Sequence, residues 1–256
     1  MKCRVKLLVT FLLMICMTVG VSIQSKASDA VKLNKSRVVV DLSGDTVQLK
    51  VKNTTSKVKW SSADENLVKV NKKGELAPNE VGVTTVTATV DGKKYNCKVI
   101  VVDYAGMSDE QKEVVAFAVK HVGNRYVYGG SSLTKGTDCS GFTMSVYGNF
   151  GYDLVHNAKG QMDTVKKVSM KKIKPGDLIF YGSSKASCSH VAMYIGHDKV
   201  VHASNEQTGI TISDFNYRNY VGVGRVLETE TYTPDGKEFI ENTNSLDEMA
   251  RYAKSR

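Results

Sequence analysis

Cys139 follows Asp138 and precedes Ser140-Gly141-Phe142, and the next stretch, Thr143-Met144-Ser145-Val146-Tyr147, is apolar enough to be a buried helix. That pattern predicts Cys139 at a helix N-terminus, where unpaired N–H groups and the positive end of the dipole stabilise a thiolate. A cysteine nucleophile needs an imidazole to take its proton, and the imidazole needs an orienting partner. His190 opens the alternating run His190–Ile195, and His202 lies on the run Lys199–Ala203 that returns after Gly196-His197-Asp198. A three-residue loop, Gly196–Asp198, pairs Ile195 with Lys199 and Ala192 with His202. His190 is then diagonal to His202 on one face, roughly 7–8 Å away across the ladder. A two-residue loop puts the two on opposite faces and removes the triad. Cys188 shares that face if the strand reaches back so far, and a Cys139–Cys188 disulfide would then silence the thiol.

The competing chemistries find little support. There is no Cys-x-x-Cys or His-Glu-x-x-His spacing for zinc, and Gly129-Gly130 precedes no Lys-Ser/Thr pair that would make a phosphate loop. Basic residues are scattered without aromatic interleaving, which disfavours nucleic acid. The expected chemistry needs no metal or organic cofactor. His121 near a helix end, His197 in the turn and His156 on a surface read as structural residues, and Asp138 serves equally well as a helix cap.

These residues need elements to hold them. Ser108-Asp109-Glu110-Gln111 is a capping box opening a helix that carries Val114, Val115, Ala118, Val119 and Val122 and ends at Gly123. Glycine-rich turns, the Cys139 helix and a run of strands follow, an α+β pattern with the sheet after the helices. Residues 31–103 have another texture. Short β runs recur at Val38–Asp41, Thr46–Val51, Val58–Trp60, Val68–Val70, Val83–Val90 and Tyr95–Val102. Asp91-Gly92 between the last two is a strong hairpin signal, and the spacing indicates a small antiparallel sandwich. Trp60 and Cys97 read as its core.

Residues 1–27 read as a secretory signal peptide: Lys2, Arg4 and Lys6, an apolar run from Leu7 to Ile23, then small residues around Ser25-Lys26-Ala27. No other apolar stretch is long enough for a transmembrane helix. Removing this leader lowers the net charge from +9 to +5 and the cysteines from five to three, Cys97, Cys139 and Cys188. An odd number of cysteines in an exported chain leaves a thiol unpaired. The charge is spread evenly, about +4 before residue 104 and +4 from there to 227, against −3 in the polar tail 228–256. Such mild basicity suits anionic cell-wall polymers as partners.

Five stretches in order resemble the NlpC/p60 family of cell-wall cysteine peptidases: Tyr126-Val127-Tyr128-Gly129-Gly130, Asp138-Cys139-Ser140-Gly141-Phe142, Pro175-Gly176-Asp177-Leu178-Ile179-Phe180, Ser189-His190-Val191 and His202-Ala203. The resemblance covers roughly 108–227 and implies a papain-like core that cleaves peptidoglycan stem peptides, often between D-Glu and a diamino acid. It makes Cys139 the nucleophile, His190 the base and His202 the orienter. The Cys139 N–H and the Tyr126 hydroxyl become the oxyanion donors, and Asp138 and Ser140 contact the substrate near its amino end. Ala192 departs from the usual Gly, and Val155-His156 stands where Pro-Arg is usual, although Ala158 and Gln161 still fit. Residues 31–103 in turn resemble a bacterial Ig-like domain of group 2, through Trp60-Ser61-Ser62 with Asp64, Val68, Val70, Gly74, Leu76, Gly82 and Thr85-Val86-Thr87-Ala88.

The expected protein is therefore multidomain, with an all-β Ig-like sandwich (31–103), an α+β papain-like domain (108–227) and a tail. It is a secreted, wall-associated thiol hydrolase acting on peptidoglycan stem peptides. The alternatives are a related amidase or acyltransferase using the same site, and a surface adhesin with a vestigial catalytic fold.

Overall fold

The computed structural model describes residues 30–227. The expected leader (1–27) and tail (228–256, with a helix near Leu246–Tyr252) lie outside the described residues. Among the described residues no helix is long and apolar enough to cross a membrane.

Val/Thr alternation makes the first half strands. In chain order they are β1 (Lys32–Leu33), β2 (Arg37–Asp41), β3 (Val47–Gln48), β4 (Val51–Lys52), β5 (Lys59–Ser62), β6 (Val68–Val70), β7 (Glu75–Pro78), β8 (Gly82–Val90) and β9 (Lys93–Val102). β8 alternates buried and half-buried residues along its whole length, the period of a strand with one covered face. Asp91 (φ 48°) and Gly92 (φ 78°) make the two-residue β8–β9 turn, whose left-handed backbone matches the strand twist. The strands form a four-stranded sheet in the order β2-β9-β8-β5, a three-stranded sheet β3-β7-β6 and the pair β1-β4. β1 and β7 were not expected from the sequence. One pairing differs in sense from the expected antiparallel sandwich: β2 lies parallel to β9, Arg37 opposite Lys98. Alternation fixes which side chains share a face, and it is silent on strand direction.

Val38, Val40, Leu49, Leu76, Val86, Cys97, Val99 and Val101 form the core between these sheets, with Trp60 packed on it. Burial pushes the Cys97 thiol up to about 11, so it behaves as a small hydrophobe.

The second half contains α1 (Asp109–Val119), β10 (Ser131–Ser132), β11 (Gly136–Thr137), α2 (Cys139–Gly148), α3 (Ala158–Thr164), β12 (Lys166–Lys167) and a short 3-10 turn at Met170–Lys172. It closes with β13 (Leu178–Gly182), β14 (Cys188–Gly196), β15 (Lys199–Asn205), β16 (Gly209–Asp214) and β17 (Tyr220–Arg225). The predicted capping box is present: Ser108 accepts from the Gln111 N–H, and the Gln111 side chain accepts from the Ser108 N–H. The helix ends at Val119, earlier than the expected Gly123. β12-β17-β13-β14-β15-β16 form one antiparallel sheet.

β9 joins the two halves. Val99 and Val101 point into the first core, while Ile100 and Val102 belong to a second core with Val114, Val115 and Ala118 of α1, Phe142 and Val146 of α2, and Val191 and Met193 of β14. Arg37 donates to the Lys120 carbonyl (2.9 Å) and to Asn124 Oδ1 (3.1 Å). Asp103 Oδ2 meets His197 Nε2 at 2.7 Å. His197 is seven residues along the chain from His190, on the order of 20 Å at strand rise. The first half therefore docks at the far end of β14 from His190.

Asp177 shows why the Pro175-Gly176-Asp177 stretch has its residues. Its carboxylate is 2% exposed, accepts from the Lys174 N–H (2.8 Å) and takes a two-pronged contact from Arg225 Nε and Nη2 (both 2.7 Å). Arg225 thus ties β17 to the entry of β13. Arg225→Ala leaves a buried carboxylate with one donor, and is expected to cost about 3 kcal/mol in a denaturant titration. A loss under about 0.5 kcal/mol would show that the pair holds nothing together.

Candidate active site

Asp138 caps α2. Its Oδ1 accepts from the Gly141 N–H at 2.8 Å, the bond that satisfies an orphan donor of the first turn. Cys139, 8% exposed, is the first residue of that helix, as expected. The backbone N–H groups of Val191, which follows His190 on β14, of Ser140 and of Cys139 itself favour its thiolate. Burial nevertheless outweighs these donors and pushes the thiol above its ordinary value.

His190 (4% exposed) and His202 (fully buried) do share a face, with His190 Nε2 and His202 Nδ1 2.8 Å apart. The expected register holds, by a different local route. The loop has two residues, His197 (φ 50°) and Asp198 (φ 55°), and Gly196 pairs with Lys199. Such a turn alone would have separated the histidines. The register shifts between Tyr194 and Gly196, so that Ile195 is a bulge, and Tyr194 pairs with Val200 and Met193 with Val201. Continuing that register sets Ala192 opposite His202. The inserted residue restores the parity that the short turn removes.

Two further groups hold His202: Ser213 Oγ is 3.0 Å from its Nε2, and the Tyr217 hydroxyl is 3.1 Å from its Nδ1. Burial lowers His202 to about 3, with the Arg218 charge adding to the effect. Burial likewise holds His190 well below the ordinary imidazole value, helped by His202 and Arg218. Both rings are therefore neutral around pH 7. Tyr181 pairs with His190 across β13, with ring centroids 5.9 Å apart.

Tyr126 lies on a loop laced to the strand before α2. It bridges Thr137, and the Val127 N–H donates to the Thr137 carbonyl at 3.0 Å. Its hydroxyl is held above its ordinary value by burial first, then by the charges of Cys139 and Asp138, so it stays a protonated donor.

The Asp138 carboxylate is crowded. Besides the Gly141 N–H, Oδ1 meets Ser140 Oγ (3.2 Å) and His156 Nε2 (2.9 Å), and Oδ2 accepts from the Gly129 N–H (2.9 Å). Despite its burial, the backbone donors and His156 keep Asp138 below the usual carboxylate value. His156, read from sequence as a surface residue, is thus part of this cluster. It reaches there because buried Gln161 ties α3 to α2: its Nε2 donates to the Ser140 and Val155 carbonyls (3.0 and 2.8 Å) and its Oε1 accepts from Thr143 (2.8 Å). Gly141 has no room for a side chain, since a Cβ would stand 2.1 Å from the Gly130 carbonyl oxygen and 2.8 Å from His156 Nε2.

Cys188 departs from expectation. β14 does reach back to it, but the register shifts between Tyr181 and Gly182, which pair with His190 and Cys188. Ser189 is the extra residue, so Cys188 turns to the opposite face from His190. It packs on the helix-side core, near Lys159 and Asp163 of α3, and all three described cysteines are free thiols. Among the described residues no group of three or more His, Cys, Asp or Glu is arranged to hold a metal ion.

Residues 123–225 match the model of the NlpC/P60 family. The chain is 34% identical over 119 residues to a probable endopeptidase p60 of Listeria innocua serovar 6a, covering 44% of this chain and 24% of that protein. It is 31% identical over 150 residues to the bifunctional muramidase/DL-endopeptidase CwlT of Bacillus subtilis (strain 168), covering 56% of this chain and 44% of that one. Among solved structures, the NlpC/p60 domain of the peptidoglycan hydrolase SagA is similar with a TM-score of 0.41 and 31% identity, over 44% of this chain and 97% of that one. The chain spans less than half the length of these two curated relatives.

Proposed function

We propose that the NlpC/P60 family domain at residues 123–225 is the catalytic part of a secreted peptidoglycan endopeptidase, which hydrolyses amide bonds in cell-wall stem peptides, between D-Glu and a diamino acid, through a thioester on Cys139. The observation that carries this reading is the 2.8 Å bond between His190 Nε2 and His202 Nδ1, with Cys139 in the first turn of α2 and the backbone of Val191, next to His190, among the groups that favour its thiolate.

The base role requires one proton arrangement. Ser213 accepts from His202 Nε2–H, His202 Nδ1 accepts from His190 Nε2–H, and the lone pair of His190 Nδ1 is left for the thiol proton. As the sulfur attacks the scissile carbonyl, His190 takes that proton. The oxyanion forms against the Cys139 N–H and the Tyr126 hydroxyl. Collapse breaks the C–N bond, and His190 returns the proton to the leaving amine. Water, deprotonated by His190, then resolves the thioester to a carboxylate and restores the thiol. Asp138 and Ser140, with His156 beside them, form the wall that meets the substrate on its acyl side. The relatives named as endopeptidases support the substrate class. Residues 31–103 serve as a bacterial Ig-like spacer or adhesive module, and the mild positive charge keeps the exported protein on an anionic wall.

The pH profile tests the mechanism. The resting pair is neutral thiol and neutral imidazole, because burial raises one and lowers the other. Acid inactivates by protonating His190, so that limb falls below its ordinary 6.5. Base removes the proton needed by the leaving amine, so that limb rises above the ordinary thiol value of 9.0. The two limbs belong to the coupled pair. The expected kcat/KM is flat between them; an acid limb centred above about pH 7 would contradict a neutral resting pair.

A further inference from the structure

Resting on the hydrolase reading above, we infer that the groove beside His190 receives the residue that supplies the leaving amine, and that Arg218 recognises a carboxylate on that residue. β13, the start of β14 and the turn before β17 end together there. Tyr181 pairs with His190, and the Gly182 N–H donates to the Asn219 carbonyl at 3.1 Å. They enclose a groove of about 470 Å³ lined by Tyr181, Gly182, Ser183, Ser189, Arg218 and Asn219.

Chemistry fixes which half of the substrate belongs in it. The base that takes the thiol proton must hand it to the leaving amine, so the amine-side residue departs past His190. Asp138, which caps α2, and His156 cluster at the start of the helix that carries Cys139. The groove is built from the neighbours of the imidazole: Tyr181 pairs with His190, Ser189 precedes it in the chain, and the Arg218 charge acts on both His190 and His202.

Arg218 is the one formal charge on this lining. Its guanidinium carbon lies 5.3 Å from the Tyr217 ring centroid. The other three described arginines donate hydrogen bonds: Arg37 to Lys120 and Asn124, Arg125 to Lys135, and Arg225 to Asp177. Arg218 makes none among the described residues. The Tyr217 ring holds the guanidinium nearby while its forked donors stay open among the described residues, and such a fork can grip a carboxylate with two parallel bonds. A diamino acid with a second carboxyl, or one at the end of the stem, carries a free carboxylate that the scissile bond does not use.

Two peptides with the same acyl half, one with a free carboxylate and one with a carboxamide on the leaving-group residue, test this. The parent is expected to favour the carboxylate about 10- to 100-fold in kcat/KM, the range of a charge-assisted contact. Arg218→Gln should bring that ratio within about 3-fold, and Arg218→Lys should leave it between. An unchanged ratio in Arg218→Gln, including an equal fall on both peptides, would overturn the assignment. Equal cleavage of both peptides by the parent would do the same while leaving the hydrolase reading intact. Failure of the parent to cleave either would overturn that reading and this inference with it.

Discussion

Cys139→Ala is expected to lower turnover of stem peptides on the order of 10⁶-fold, the scale seen when a triad nucleophile is removed. That corresponds to about 8 kcal/mol of barrier. No neighbour can substitute. Cys188 faces away from His190 across β14, and Cys97 lies in the core of the first half. The fold has little stake in the sulfur, because the first turn of α2 is held by Asp138, whose cap does not involve it. Unfolding free energy should stay within about 1 kcal/mol of the parent. The check is paired kinetics and denaturant titration on the same preparation. Loss of activity accompanied by unfolding would not count in favour of a nucleophile.

His190→Ala is the second large effect, with an expected loss of about 10³-fold at neutral pH. The size follows from the thiol. Burial holds Cys139 above 9.0, so at pH 7 fewer than about one sulfur in 100 is ionised without help. In the proposed mechanism His190 makes up that deficit and also supplies the proton to the leaving amine. A distinctive signature follows. Residual activity in His190→Ala should climb with pH through and beyond 9, as hydroxide does what the imidazole did, whereas the parent is flat up to its basic limb and falls beyond it. A variant whose residual rate ignores pH would place the proton elsewhere. His202 enters the same chain through its 2.8 Å bond to His190, held by Ser213 and Tyr217.

The site was more legible in the sequence than the backbone that makes it. Asp138 before Cys139 announced a capped helix with a thiol in its first turn, because capping is a local property. The pairing of His190 with His202 was also foreseen, although the expected three-residue loop is a two-residue turn with a bulge at Ile195. Gly196 reads as a loop residue in one dimension, and the left-handed turn falls on His197 and Asp198, which tolerate it better than most residues do. The bulge at Ser189 was equally hidden, and with it the facing of Cys188.

Contacts that depend on distant elements were not legible. His156 meets Asp138 only because Gln161 docks α3 on α2, eighteen to twenty-one residues away in the chain. Tyr217, Ser213 and Arg218 belong to β16 and the turn after it, where no spacing relates them to His202. The parallel pairing of β2 with β9 and the second core on Ile100 and Val102 are likewise products of tertiary packing. Continuous burial over the last four residues of β9 marks a strand covered on both faces, a pattern that valine-rich sequence alone does not distinguish from one covered face.

The central claim is that this chain cuts a stem peptide at one amide by way of Cys139. Its most direct test is mass spectrometry of a defined muropeptide carrying a full stem, digested by the purified protein. Two fragments are expected, whose masses together equal the substrate plus one water, divided at the amide between D-Glu and the diamino acid. A cut at the sugar–peptide junction, or the same fragments released by Cys139→Ala, would contradict it.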